Sequence, residues 1–161
     1  MIKVGFSYRK GNVMSWLIRK LTSSDVSHTW LAIVDPYFGD ETLIMEAGFA
    51  GWQMVSYQEF LRKNTIVTIV EPVVPLNEGL RMAARWLGSP YDITGLFGAF
   101  IVVVGHWFKR KWKNPLDNPK SMFCSEAIIR ILQISSYPRS QELDPGSTTP
   151  KELLQFLSSM K

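Results

Sequence analysis

The stretch that decides the fold is SHTWLAIV, residues 27–34, followed after a short turn by TLIMEA, residues 42–47. Both runs are rich in apolar and β-branched residues, which is typical of strands. Asp35-Pro36 ends the first run, and the connection up to the second run is rich in turn residues. The two runs are therefore predicted to pair as neighbouring strands of an antiparallel hairpin.

The sequence on either side of this hairpin predicts more strands and several helices. Residues 2–8 and 65–70 have the composition of strands. Apolar spacing and capping residues predict helices, and the apolar segment 93–104 is interpreted as buried. The predicted helices are residues 13–21 after Asn12, 57–62 after Ser56, 76–87 ending at Gly88, a helix that starts after Ser121, and 150–158 after Thr149. We expect one α+β domain over residues 1–161, with a mostly antiparallel sheet and helices packed on it.

Composition limits the chemistry that the chain can perform. The 161 residues are 46% hydrophobic and carry a formal charge of +4, which suits a folded domain and an anionic partner without requiring one. The single cysteine, Cys124, excludes an intramolecular disulfide. The two histidines, His28 and His106, show no metal-ligand spacing, so we expect neither a metal site nor an organic cofactor.

The amino-terminal sequence MIKVGFSYRKGN lacks an apolar stretch of signal-peptide length. The longest apolar run, residues 96–104, is shorter than the ~20 residues that a membrane-spanning helix needs. We therefore expect a soluble protein made in the cytoplasm, of bacterial or phage origin.

Cys124 is the candidate nucleophile. If Ser121 caps the helix, Cys124 lies in its first turn, where the helix dipole favours a thiolate over a thiol. A thiolate is the reactive form of cysteine. The competing interpretation is a small buried residue of the core, which is the commonest role of a free cysteine.

A general base for this thiol must be one of the two histidines. His28 begins a predicted strand, from which an imidazole can be held in place, whereas His106 lies beside the cationic run 109–111. Glu46 interrupts an apolar strand, which a carboxylate does when it is either exposed or paired. If the two strands are antiparallel, Glu46 can orient the His28 ring; Asp35 and Asp92 are weaker candidates for that role.

Two short motifs resemble a known enzyme family. GSPY at residues 88–91 and FCSE at residues 123–126 resemble the Gly-x-Pro-Tyr and Cys-Ser elements of the NlpC-type papain-like cysteine peptidases. Here the histidine strand precedes the cysteine helix, the reverse of the ordinary order. This order resembles the circularly permuted branch, the YiiX-type amidases, whose relatives include lecithin:retinol acyltransferase-like proteins.

The resemblance implies a permuted papain-like fold and a cysteine amide hydrolase or peptidase acting on a peptide or acyl substrate, with cell-wall or other γ-linked peptides as the expected class. It implies Cys124 as nucleophile, His28 as base and Glu46 as the orienting residue. Tyr91 matches the family tyrosine near the thiol, which is thought to help hold the oxyanion. The chain departs from the family at Thr29-Trp30 and in the basic insertion before Cys124, so the substrate remains open.

The basic insertion offers a second surface. Its cations could bind an anionic cell wall or a membrane surface, whereas the nucleic-acid signal is weak and a solvated loop is the plainer interpretation. They are Lys109, Arg110, Lys111 and Lys113. Two alternatives to an amide hydrolase remain open: a lipid acyltransferase or thioesterase, favoured by the long apolar run, and a non-catalytic protein with the same fold.

Overall fold

The computed structural model describes residues 1–39, 41–48, 50–90 and 123–160 and has an α+β architecture. A five-stranded antiparallel sheet has the strand order β4-β3-β2-β1-β5. The strands are β1 (Ile2–Arg9), β2 (His28–Val34), β3 (Thr42–Gly48), β4 (Gly51–Ser56) and β5 (Asn64–Val70).

The predicted hairpin is confirmed. β2 and β3 pair antiparallel, with Leu31 opposite Met45 and Trp30 opposite Glu46. Asp35 accepts a hydrogen bond from the backbone N–H of Tyr37 in the turn that follows β2. Asp35 is therefore at the far end of β2 from His28, and its candidacy as the partner of His28 is wrong.

Strand β4 was not predicted from the sequence. Its segment, GWQMVS, begins with glycine and mixes polar and apolar residues, so it lacks the β-branched run that marks β5. Gly51 has a φ of +104°, a value that favours glycine, and lets the chain turn sharply from β3 into β4. Strand β4 therefore depends on pairing with β3 rather than on its own composition.

Five α-helices lie within the described residues. Four of them match predicted helices in position, although α3 ends two residues earlier than its pattern indicated. The helices are α1 (Val13–Thr22), α2 (Tyr57–Lys63), α3 (Asn77–Arg85), α4 (Cys124–Ile134) and α5 (Pro150–Ser158). The apolar segment 93–104 and the cations of the basic insertion, residues 109–113, lie outside the described residues.

The start of α4 differs from the prediction. Phe123 is its N-cap and Cys124 is the first residue of the helix, so the prediction of a cap at Ser121 is wrong. The Glu126 carboxylate, at the third position of the helix, accepts a hydrogen bond from the Phe123 backbone N–H at 3.4 Å.

The two faces of the sheet carry separate clusters of buried side chains. One cluster joins the sheet to α4 and α5 and includes Leu31, Met45, Cys124 and Ile128. The smaller one, on the opposite face, contains Trp30, Ala32, Ile44 and Phe60 of α2. Helix α4 thus packs on one side of β2 and β3, and α2 covers the other side. Among the described helices, none combines the length and apolar character needed to cross a bilayer.

Candidate functional site

His28 and Glu46 are brought together by the register of β2 and β3. Trp30 lies directly opposite Glu46, so His28, two residues earlier on the same face, is the diagonal neighbour of the carboxylate. The imidazole Nε2 is 2.7 Å from Glu46 Oε2. The sequence allowed Glu46 to be either exposed or paired. Because Glu46 is only 7% exposed and bonds to His28, it is the paired carboxylate.

Aromatic packing fixes the orientation of the His28 ring. Phe60 of α2 stacks near the imidazole at a centroid distance of 6.4 Å and an interplanar angle of 27°. Phe60 also packs on Trp30, whose indole Nε1 donates to Ser7 Oγ at 3.1 Å. Trp30 and Trp52 are both buried in the core.

The second oxygen of Glu46 has a partner that sequence reasoning missed. Gln53 Nε2 on β4 donates to Glu46 Oε1 at 3.0 Å, and the two residues are direct register partners. Gly48 lies against this amide, and a Cβ on Gly48 would come within 2.7 Å of Gln53 Nε2. The sequence signal for Gln53 was the alternation of side chains between the two faces of β4. That alternation can be interpreted only once β4 is known to pair with β3.

Cys124 is held at the amino-terminal end of α4, where the backbone N–H groups of the first turn have no partners within the helix. The thiol is buried, with the residue 3% exposed. The next residue anchors this turn, since Ser125 Oγ donates to the Thr148 carbonyl at 2.8 Å. The helix start is held further by Glu126, which is fully buried and paired with Arg130 Nη2 at 2.7 Å.

The Cys124 thiol lies close enough to the His28 ring for its hydrogen bonding and charge to raise the pKa of the histidine, as those of Glu46 also do. Because Nε2 faces Glu46, Nδ1 is the nitrogen left to face the thiol. Cys124 belongs to the core cluster on the α4 face of the sheet, and His28 is the first residue of β2. A ring held between a carboxylate and a thiol is the arrangement in which an imidazole exchanges a proton with sulfur.

Electrostatics at this site favour a protonated imidazole. Burial alone would lower the pKa of His28, but its hydrogen bonds with Cys124 and Glu46 and their negative charges raise that pKa to about 10. Burial alone would likewise raise the pKa of Glu46, but the hydrogen bond and charge of His28 outweigh it and lower the pKa below its ordinary value. Gln53 and the charge of Arg9 act in the same direction on Glu46.

The GSP part of the GSPY motif is docked on β4. Trp52 N–H donates to the Ser89 carbonyl, and Gly88 N–H donates to the Trp52 carbonyl, each at 2.9 Å. A Cβ on Gly51 would clash with the Ser89 carbonyl oxygen, so glycine is needed for this approach as well as for its backbone angle. The hydrogen bonds to β4 thus hold the segment at Gly88 and Ser89, two residues before Tyr91.

Several residues singled out in the sequence lie outside the described residues. Tyr91, Asp92 and His106 are among them, so the structure gives no position for the candidate oxyanion residue or for the competing histidine. The same holds for the cations at 109–113. Within the described residues, no cluster of three or more metal-ligating side chains occurs.

Comparison with known proteins adds no relatives. A scan of the sequence against models of protein families finds no match, and a search of curated proteins finds none.

Proposed function

We propose that the protein is a cysteine-dependent amide hydrolase that acts through a Cys124 thioester. The observation that carries the proposal is the His28 ring held between the Glu46 carboxylate and the Cys124 thiol. A cysteine at the start of a helix does not need to contact a carboxylate-paired histidine in order to serve as a core residue. Nucleophilic catalysis requires that contact.

The first half of the reaction forms the thioester. The Cys124 sulfur attacks the substrate carbonyl carbon, and the oxygen takes up negative charge in a tetrahedral intermediate. His28 then donates its Nδ1 proton to the leaving nitrogen as the carbon–nitrogen bond breaks. An amine leaves, and the acyl group remains on sulfur.

The second half restores the enzyme. Water attacks the thioester carbonyl and gives a proton to His28 Nδ1, and the carbon–sulfur bond breaks to release a carboxylic acid. Throughout the cycle Glu46 accepts the hydrogen bond from Nε2, which fixes the tautomer and stabilises the imidazolium. Gln53 keeps the carboxylate turned toward the ring by holding its other oxygen.

The oxyanion of each tetrahedral intermediate needs donors that are fixed before the reaction begins. The Cys124 backbone N–H, at the first position of α4, is one such donor. Tyr91 is the proposed second donor, and the docking of Gly88 and Ser89 on β4 fixes the chain just before it.

The experiment is a comparison of the wild-type protein with Cys124→Ala and Cys124→Ser on a panel of coumarin amides with γ-glutamyl, α-peptidyl or fatty-acyl groups. We expect hydrolysis of at least one amide by the wild type, an acyl adduct on Cys124 by intact-mass spectrometry, and no turnover by either variant. Circular dichroism checks that both variants fold. Turnover by a folded Cys124→Ala protein would contradict the proposal.

A further inference from the structure

A groove lies between the end of β1 and the first turns of α1. It has a volume of about 390 Å³, and its main lining residues are Tyr8, Arg9, Lys10, Val13, Trp16 and Arg19. A second concavity of about 330 Å³ shares Trp16 and Arg19 with the first and extends to Lys20 and Asp25. The two shared side chains make them neighbouring parts of one depression.

The charge of the larger concavity has one sign. Arg9, Lys10 and Arg19 line it, and no carboxylate does so among the described residues. The Arg19 guanidinium lies over the Tyr8 ring, 4.4 Å from the ring centroid, which holds the side chain in one orientation. Its Nε is buried and has no hydrogen-bond partner within the described part of the chain. This donor and the surrounding cations suit an anionic group.

The wall of the groove also presents apolar surface. Trp16 is 57% exposed and Val13 is 75% exposed, and both lie on α1 beside the cations. Large apolar side chains left this open next to a concave, charged surface are typical of a ligand site that binds a molecule with both an apolar and a polar part.

The strand that lines the groove, β1, also pairs with the strand that carries His28. Ser7 pairs with His28, so Tyr8 and Arg9 follow directly along β1. Arg9 N–H donates to Ser15 Oγ at 2.9 Å, and that hydroxyl is 2.6 Å from Ser27 Oγ, one residue before His28. The charge of Arg9 also acts on Glu46. The β1 side of the groove is thus linked to the start of β2 by strand pairing and by the contact between the Ser15 and Ser27 hydroxyls.

We propose that this groove binds an anionic group, carboxylate or phosphate, on a substrate whose apolar part packs on Trp16 and Val13. The proposal rests on the proposed function, because it assigns the substrate class of the same site. It predicts that the scissile amide belongs to an anionic compound, with the negative charge on the α1 side of Cys124.

The test measures binding rather than turnover, so that it can fail independently of the proposed function. Full-length Cys124→Ser protein is titrated by calorimetry with three probes that share one ring: naphthylacetate, naphthyl phosphate and neutral naphthylethanol. We expect both anions to bind, with the tighter one identifying the anionic group, and the neutral probe to bind at least about tenfold more weakly. Raising the salt concentration should weaken the binding of the two anionic probes and leave the binding of the neutral probe unchanged.

Two variants locate the site. Lys10→Gln and Arg19→Gln should each weaken anion binding about tenfold or more, whereas Arg81→Gln, which removes a charge from the 76% exposed side chain on α3, should leave it unchanged. Lys10→Gln keeps the test valid if loss of the Arg19 contact with Tyr8 affects folding.

Equal affinities for the charged and neutral probes would overturn the groove proposal without bearing on the chemistry of Cys124. So would a loss of anion binding in Arg81→Gln as large as that in Lys10→Gln and Arg19→Gln. Absence of small-anion binding together with co-sedimentation on phosphatidylglycerol vesicles, lost in Trp16→Ala, would overturn it in favour of a membrane surface. Anion binding without any acyl adduct on Cys124 would support the groove as an anion site and contradict the proposed hydrolase function.

Discussion

Gln53 donates a hydrogen bond to the oxygen of Glu46 that His28 does not use, at 3.0 Å, from the directly opposed position on β4. The carboxylate is thus held from both sides, by an amide and by an imidazole. In the proposed mechanism Gln53 is a positioning residue, since it acts through Glu46 and not on the substrate.

Replacing Gln53 by Met should remove this hold at similar side-chain length. We expect turnover to fall about fivefold, the effect of one lost hydrogen bond of roughly 1 kcal/mol, with little change in KM. The pH profile should shift as well, because Gln53 helps to lower the pKa of Glu46. Gln155→Met on the exposed side of α5 is the matched control. An unchanged kcat and an unchanged pH profile would show that Gln53 does not position Glu46 for catalysis.

The His28 pKa is open to direct measurement. Carbon-13 NMR of the imidazoles, with His106→Asn to assign the two signals, should show a titration near the value of about 10 given by the geometry. Glu46→Gln removes one of the charges that raise it, so the pKa should move down toward the ordinary value of 6.5. A His28 signal that already titrates near 6.5 in the wild type would contradict the pairing.

Stability should depend on pH with opposite signs for the two partners. His28 has a raised pKa, so its contribution is fully present below 6.5 and is lost as the pH rises through about 10. Glu46 has a lowered pKa, so its contribution is present above 4.5 and is lost as the pH falls through the folded value.

Urea unfolding across the alkaline window measures the His28 contribution. The free energy of unfolding of the wild type should fall more steeply with pH than that of Glu46→Gln. Both proteins keep Cys124, so the difference in slope reports the His28–Glu46 pair. Equal slopes of the free energy of unfolding against pH in the two proteins would show that the pair adds no stability that depends on protonation of His28.

Much of the fold could be predicted because its signals are local. The runs at 27–34 and 42–47 carry strand composition and are separated by Asp35-Pro36, which led directly to the observed hairpin. Within that hairpin, an unexplained carboxylate at Glu46 pointed to a partner, and the register supplies His28.

The rest depends on contacts between distant segments. Strand β4 owes its existence to pairing with β3, so Gln53 had no visible role in the linear sequence. Helix α4 begins at Cys124 and not directly after Ser121, and the contact of Glu126 with the Phe123 N–H had no signal in the serine pattern. The groove beside α1 likewise arises from β1 and α1 packing side by side, which no motif reports.

Gly51→Ala should disturb the segment that leads to Tyr91. The substitution adds a Cβ against the Ser89 carbonyl and forces an L-residue to a φ of +104°, at an expected cost of about 1–3 kcal/mol in the free energy of unfolding. Gly39→Ala, at a φ of +62° with no atom near the added Cβ, is the control for the backbone angle alone. Chemical denaturation measures both, and equal losses would mean that the contact with Ser89 is unimportant.

Tyr91→Phe separates the oxyanion from the nucleophile. If Tyr91 donates to the oxyanion, turnover of an amide should fall about 100-fold, the order of magnitude for losing one such donor. Alkylation of Cys124 by iodoacetamide forms no oxyanion, so its rate should stay within about twofold of the wild type. Equal loss of both rates would assign Tyr91 a structural role.

The most direct measurement is the rate at which iodoacetamide alkylates Cys124 in the native protein, followed by intact-mass spectrometry. Because Cys124 is the only cysteine, each adduct reports a single atom. At pH about 6, where ordinary thiols are almost entirely protonated, we predict alkylation at least about tenfold faster in the wild type than in a folded His28→Asn variant. A native thiol that reacts equally slowly in both proteins, and becomes reactive only on unfolding, would contradict the account.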